Sequence, residues 1–327
     1  MTTVTVRVPA KINLQLAVGP LRPDGYHDLV TVFHAISLFD EVAVSPAEAD
    51  SVAVSGEGAA QVPADADNLA LRAVAALRAV TGQPDTGHAA VAVTISKRIP
   101  VAAGLAGGSA DAAAALVACN ELWRTGLSQQ ELCEVAATVG SDVAFAVLGG
   151  TAVGRGRGDR LTPALVPAAQ YHWVLALADG HLSTPEVYGT LDRMRAALPA
   201  PGGRPPGDPP HGGPARPPIP PAELSTGVMT ALRAGDPERL GQSLSNDLQA
   251  PAIAMFPALR KTLAAGREFG ALGALVSGSG PTCFFLARGA SHATDLAVSL
   301  SGAGVCRSVA RASGPAAGAT VIGSRAS

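Results

Sequence analysis

Lysine is scarce in this chain. Only Lys11, Lys97 and Lys261 occur, and the remaining side-chain positive charge is carried by arginine. A position that keeps lysine is therefore informative, since a need for charge alone could have been met by Arg. Charge of either sign is sparse: 15% of residues are charged and the formal net charge is -2, which argues against a polyanion-binding surface and against nucleic acid as a main partner. The four cysteines, at 119, 133, 283 and 306, are scattered and form no C-x-x-C pair. No histidine cluster has zinc spacing either, so neither a disulfide framework nor a structural zinc site is expected, and a reducing, cytoplasmic setting fits. The most apolar helical stretch, "AAAALVAC", is too short to span a bilayer. The opening "MTTVTVRVPAKINLQ" lacks the basic start and apolar run of a signal peptide, so no membrane association is expected.

What the chain has instead is small residues and length. With 327 residues, 47% of them apolar, it can bury two cores. "TVTVRV" alternates with period two and "INLQLAV" continues the pattern, which predicts two opening strands broken at "PAK". "RPDGYHD" is a turn by composition. "DNLALRAVAALRAVTG" predicts a helix capped by Asp67 or Asn68 and ending near Gly82. "LSQQELCEVAATVG" opens with a capping box, Ser128 to Glu131, and "SDVAFAVLGG" is a shorter helix for which Ser141 is the local cap. "STPEVYGTLDRMRAAL" predicts a helix with Thr184 as N-cap and Pro185 in its first turn. Strands and helices mixed with frequent hairpin signals argue for an α+β fold, with a boundary near 160–170. The eleven prolines between 199 and 221 preclude helix or ladder there, which predicts a mobile Pro/Gly-rich surface insertion.

The segment "PVAAGLAGGSADAAAAL", residues 100–116, bears most directly on function. A strand precedes it and a helix follows it. Its glycines let the backbone approach a ligand closely, and the free N–H groups of the helix start favour an anion. No Gly-Lys-Ser/Thr follows, so it is not a Walker A loop, and its spacing is not the dinucleotide fingerprint. Local physics leaves two readings open: a phosphate cradle, or close packing of small residues in a Gly/Ala-rich chain. Asp142 in "GSDVAF" is either a carboxylate able to take a hydroxyl proton or a helix cap. "GRGRGD" contains Arg-Gly-Asp at 157–159, read as a charged hairpin turn.

Taken together, "PAKINL", the Gly-rich "PVAAGLAGGSADA" and "SGSG" resemble, in order and spacing, the GHMP kinase superfamily of galactokinase, homoserine kinase, mevalonate kinase and phosphomevalonate kinase. "RPDGYHDL", "DNL", "GSDVAF" and "STPEVY" are similar to the branch whose acceptor is 4-diphosphocytidyl-2-C-methyl-D-erythritol. The likeness covers most of the chain apart from the Pro-rich insertion. It implies a two-domain GHMP kinase fold, with a ribosomal protein S5 domain 2-like N-terminal half over 1–165 and a ferredoxin-like C-terminal half over 166–327. It implies transfer of a phosphoryl group from ATP to the acceptor's 2-hydroxyl in the non-mevalonate route to isoprenoid precursors. The alternatives are another kinase of the superfamily, such as homoserine kinase, which has no base to stack, or a non-catalytic nucleotide-binding regulator.

Residue by residue, the resemblance implies Lys11 and Asp142 as the catalytic pair. Pro100, Val101, Ala102, Ala103, Gly104, Leu105, Ala106, Gly107, Gly108, Ser109 and Ala110 wrap the ATP phosphates, with alanines at 102, 103 and 106 where relatives often have glycine. Asn68, Leu69 and Lys97 fall on the adenosine side. Asn13, Tyr26, His27, Thr184, Pro185 and Tyr188 hold the acceptor, Tyr26 and Tyr188 stacking on cytosine and His27 reading its edge. Ser277, Gly278, Ser279 and Gly280 form a supporting turn. ATP brings Mg2+ with it, and no dedicated metal cage is visible in the sequence. A monomer or homodimer is expected.

Overall fold

The computed structural model describes residues 2–84, 89–167, 169–197 and 219–326. Most of the Pro/Gly-rich stretch expected to be a mobile insertion, residues 198–218, lies outside the described residues.

The chain opens with two long antiparallel strands, β1 (Thr2–Leu21) and β2 (His27–Pro46). "PAK" does not separate two strands as predicted. Instead β1 runs through it, and the pairing slips at Pro9/Ala10, Asn13/Gln15 and Val18/Leu21. Such bulges keep a strand continuous while re-aiming its side chains, and Pro9 lacks the N–H a regular ladder would use there. The turn between the strands is closed by Gly25 N–H to Arg22 O at 3.0 Å, with Gly25 at φ 82°. It delivers Tyr26 and His27 to the start of β2.

β3 (Ser51–Gly56), α1 (Leu69–Thr81) and β4 (Val91–Lys97) follow. Asn68 caps α1 by accepting from the Ala70 N–H at 2.9 Å, and Gly82 ends it in the left-handed region. Then come α2 (Gly107–Trp123), α3 (Gln129–Val139), α4 (Ser141–Leu148) and the hairpin β5 (Thr151–Gly156) and β6 (Arg160–Pro163). The Ser128–Glu131 capping box opens α3. Gly140, not Ser141, is the N-cap of α4, and no side chain caps that helix. The alanines of α2 are buried around its whole circumference. Small side chains let α1, α4 and the β1–β2 ribbon all approach it, so α2 is the axle of this half.

β7 (Tyr171–Leu177), α5 (Thr184–Ala197), α6 (Thr226–Ala234), α7 (Pro237–Ser243), β8 (Ser245–Asn246), α8 (Gln249–Met255) and α9 (Ala258–Glu268) lead to β9 (Gly273–Val276), β10 (Cys283–Ala287), α10 (Ala290–Gly302), β11 (Ser308–Gly314) and β12 (Thr320–Ala326). The second sheet has the order β11-β7-β10-β9, antiparallel throughout. That is the split β-α-β arrangement of a ferredoxin-like unit. Its strands alternate cleanly. Tyr171, Trp173, Leu175, Phe284 and Leu286 join the core shared with the first sheet. Val174, Ala176, Cys283 and Phe285 pack beneath α8, α9 and α10.

The first sheet follows the path β12-β1-β2-β4-β3, with β5 on β2 and β8 on β1. Two of its strands, β8 and β12, come from beyond residue 166, so the sheet crosses the boundary expected from sequence. The seam between the two sheets therefore brings together β1, β2, the loop before α2, the start of α5 and the β9–β10 turn.

Candidate active site

A cleft of about 570 Å³ lies on that seam. One wall is the loop ahead of α2. Ala102, Gly104 and Ala106 alternate into the left-handed region, with φ of 52°, 78° and 59°. The loop's carbonyls are occupied by protein donors. The Lys11 backbone N–H reaches Leu105 O at 3.2 Å, and the Thr282 N–H reaches Ala103 O at 3.3 Å. Gly104 O accepts from Lys11 Nζ at 3.1 Å and from Ser277 Oγ at 2.9 Å. A Cβ on Gly104 would lie 2.1 Å from Ser277 O, so only glycine permits this docking. Ala106, the N-cap of α2, offers no side-chain cap. The first-turn amides and positive dipole end of α2 are therefore left to a ligand in the cleft, where Gly107, Gly108 and Ser109 form the wall.

On the floor, Lys11 is buried with its ammonium 2.8 Å from Asn13 Oδ1 and 3.9 Å from Asp142 Oδ2. Asn13 is fixed in turn: its Nδ2 donates to Thr31 Oγ1 at 2.8 Å, and that hydroxyl donates to Gln15 O at 2.7 Å. Burial pulls the Lys11 pKa below its ordinary range, and the Asp142 charge opposes the fall. Asp142 stands in the first turn of α4 and makes no capping bond, so the cap reading of this residue is not realised. Its side chain keeps 35% of its surface exposed to the cleft. A carboxylate open to a ligand can accept a hydroxyl proton, and the buried ammonium beside it can offset charge developing on the hydroxyl oxygen.

The cleft continues into a second cavity of about 610 Å³ through Leu29, Arg157, Thr184, Pro185 and Tyr188, which line both. Here His27 and Tyr188 stack with centroids 5.2 Å apart and planes at 26°. Tyr26 is 55% exposed, and the Arg157 guanidinium sits 5.0 Å above its ring. Burial and then the charge of Asp142 push the Tyr188 hydroxyl up, keeping it protonated. Thr184 opens α5 but is not its side-chain cap; its hydroxyl pairs with Ser279 Oγ at 2.8 Å and ties the helix start to the turn at 277–280. In that turn Gly278, Ser279 and Gly280 line the cleft, and Ser277 holds the loop from behind.

Not every residue singled out in the sequence reaches the cleft. Leu69 does. Asn68 does not: it is buried, with Nδ2 donating to Pro63 O at 2.7 Å in addition to its capping bond. Lys97 is enclosed beneath the loop, its ammonium 2.7 Å from Asp40 Oδ2 and 2.6 Å from Asp111 Oδ2. Asp40 also accepts the backbone N–H groups of Arg98 at 2.5 Å and Ile99 at 2.8 Å. The side chain expected to face adenosine is thus a strut joining β4, β2 and α2. Leu105 and Ala110 are core residues. Pro100 and Val101 face a separate cavity of about 230 Å³ beside Pro281 and Arg307.

Four residues here were not picked out as site residues. Asp40 and Asp111 support the loop, Asp192 meets His27, and Arg157 lies in the hairpin read only as a charged turn. Arg157 carried the one available signal, a basic residue at the tip of a Gly-rich hairpin fifteen positions after Asp142.

The arrangement suits phosphoryl transfer: an anion cradle at one wall, a carboxylate–ammonium pair on the floor, and an aromatic recess at the far end. Comparison with known proteins agrees. The model for the GHMP kinases N terminal domain matches residues 68–150 and that for the GHMP kinases C terminal domain matches residues 228–306. A 4-diphosphocytidyl-2-C-methyl-D-erythritol kinase of Nocardia farcinica is 53% identical over 98% of this chain and 96% of its own. The chain belongs to the 4-diphosphocytidyl-2-C-methyl-D-erythritol kinase family. A crystal structure of a 4-(cytidine 5'-diphospho)-2C-methyl-D-erythritol kinase superposes with a TM-score of 0.71 at 31% identity, covering 94% of this chain and 98% of that one. A homoserine kinase from Cytophaga hutchinsonii superposes with a TM-score of 0.70, covering 98% of this chain and 97% of its own, but at 17% identity it shares the GHMP kinase fold alone. Among the described residues no helix is long and apolar enough to cross a membrane.

Proposed function

We propose that this member of the GHMP kinases transfers the γ-phosphoryl group of ATP to the 2-hydroxyl of 4-diphosphocytidyl-2-C-methyl-D-erythritol, in the non-mevalonate route to isoprenoid precursors. The observation that carries the reading is the continuity of the cleft. The anion cradle at α2, the Lys11–Asp142 pair and the His27–Tyr188 recess line one connected space. A substrate with a base at one end and a hydroxyl at the other can span it.

In this reading the triphosphate rests on the open amides of Gly107, Gly108 and Ser109. Asp142 accepts the proton of the 2-hydroxyl, the freed oxygen attacks the γ-phosphorus, and ADP leaves. Lys11 sets a positive charge beside Asp142 and the attacking oxygen and, through Gly104 O, ties the loop position to the acceptor site. Cytosine lies against Tyr188 with Tyr26 on its other face, and His27 meets its edge. Arg157 lies at the junction of the two cavities, where the acceptor's own diphosphate must pass, and its guanidinium suits phosphate. Mg2+ bound to ATP neutralises charge on the transferring group. The Ser109 hydroxyl is a hard oxygen donor facing the cleft and would help complete its coordination, as fits an ion held mainly by its nucleotide. Residues 1–165 supply the ATP-binding half and residues 166–327 most of the wall opposite. The enzyme acts in the cytoplasm as a monomer or homodimer.

A substrate panel tests the assignment. ATP consumption with 4-diphosphocytidyl-2-C-methyl-D-erythritol should exceed that with homoserine or mevalonate by orders of magnitude. Equal or greater consumption with either of those would overturn it.

A further inference from the structure

The ring of His27 has one hydrogen-bond partner among the described residues, Asp192. His27 Nε2 lies 2.9 Å from Asp192 Oδ1, and the ring is buried against Tyr188. The contact joins distant parts of the chain. His27 opens β2, whereas Asp192 stands four residues after Tyr188 in α5, so the carboxylate and the phenol ring share one helix face. All three residues line the second cavity.

This pairing has a chemical consequence. An ionised carboxylate only accepts hydrogen bonds. A neutral imidazole beside it must therefore carry its proton on Nε2, and its Nδ1 is then a lone-pair acceptor. Cytosine presents an exocyclic amino group, a donor, where uracil presents a carbonyl. An acceptor at Nδ1 pairs with the first and opposes the second.

We infer that Asp192 is a positioning residue that sets base selectivity, fixing the His27 tautomer so that the recess accepts a cytosine edge and rejects uracil. The inference deepens the functional reading above and rests on its placement of the cytidyl group in this cavity. Asp192 keeps 39% of its side chain exposed, so its role is to orient the ring, and its replacement should leave the fold intact.

CDP and UDP serve as probes for calorimetric binding to the full-length enzyme. The wild type should bind CDP at least about tenfold more tightly than UDP, the effect of leaving two facing acceptors unpaired in a desolvated site. Asp192→Asn offers an amide donor to Nε2. The same exchange beside the histidine of a serine protease leaves the geometry intact and puts the ring in the wrong tautomer. In Asp192→Asn the CDP-to-UDP preference should fall by about tenfold, while Asp192→Glu, which keeps the acceptor, should retain it. Nitrogen-15 shifts of the His27 ring should place the proton on Nε2 in the wild type and on Nδ1 in Asp192→Asn. An unchanged preference in Asp192→Asn, or a wild-type proton on Nδ1, would overturn the inference. Failure of the underlying reading looks different: CDP affinity would then be indifferent to Tyr188→Ala, whatever stands at 192, and both would be lost.

Discussion

Replacing Asp142 by Asn keeps the size of the side chain and removes its charge and its proton affinity. Two unit charges 3.9 Å apart attract by about 4 kcal/mol at an effective dielectric of 20. With the carboxylate 35% exposed, solvent screens that to about 1–2 kcal/mol. Electrostatics is thus the smaller part of the loss. The larger part is the missing proton acceptor, for which turnover should fall about 10²–10⁴-fold, or about 3–5 kcal/mol on the barrier. Among the described residues no hydrogen bond or ion pair joins Asp142 to α2 or its loop, its one charged partner being Lys11, so ATP affinity should stay near wild type. A second signature follows from Lys11. Burial already lowers its pKa, and Asp142 is the charge that resists. Without that charge the ammonium is lost at lower pH, so the alkaline limb of the residual activity should move down. Turnover is read by coupled ADP release under saturating substrates, and ATP binding by calorimetry. Turnover within tenfold of wild type, or an ATP affinity that falls as far as turnover does, would refute the assignment of Asp142 as proton acceptor.

Tyr188→Ala should raise KM for the cytidyl substrate by about 5–150-fold, from a stacking loss of about 1–3 kcal/mol, and leave KM for ATP unchanged; equal rises in both would contradict the stacking role. Arg157→Ala, which removes the cation over Tyr26, should weaken the same substrate by about 2–30-fold in steady-state assays, again without touching ATP. Gly104→Ala meets both a left-handed φ of 78° and Ser277 O at 2.1 Å; it should lower the melting temperature and weaken ATP binding together, and a neutral result would mean the loop docks otherwise. Asp111 has its pKa pushed up from 3.8 to about 7 by burial, against the opposing charge of Lys97 and with the help of Asp40. The folded state then binds more protons than the unfolded between those values, so stability falls as pH rises from about 4 to about 7 and levels off above. From pH 5 to pH 8 the wild-type urea midpoint should fall relative to that of Asp111→Asn.

The parts of this molecule written in short segments were legible before any coordinates. Asn68 and the Ser128–Glu131 box cap their helices because capping is decided within three residues. The Gly-rich loop was legible as a backbone shape, though not in its occupant until Lys11 and Asp142 were considered with it. What escaped was set by pairing over distance. Nothing local says that Lys97 will be held by Asp40, fifty-seven residues earlier, so a lysine that looked free for a ligand is a buried strut. "PAK" looked like a break because Pro9 interrupts alternation, yet the bulged ladder carries β1 through it. The return of β12 to β1 and the meeting of Asp192 with His27 likewise depend on topology, which no short window contains.

The regiochemistry of transfer tests the central claim most directly. The product formed from ATP and 4-diphosphocytidyl-2-C-methyl-D-erythritol should show one new phosphomonoester signal in phosphorus NMR, coupled to carbon 2 of the erythritol chain, with the diphosphate bridge intact. Phosphate on another hydroxyl, or inorganic phosphate as the sole product, would contradict the placement of that 2-hydroxyl between Asp142 and the α2 cradle.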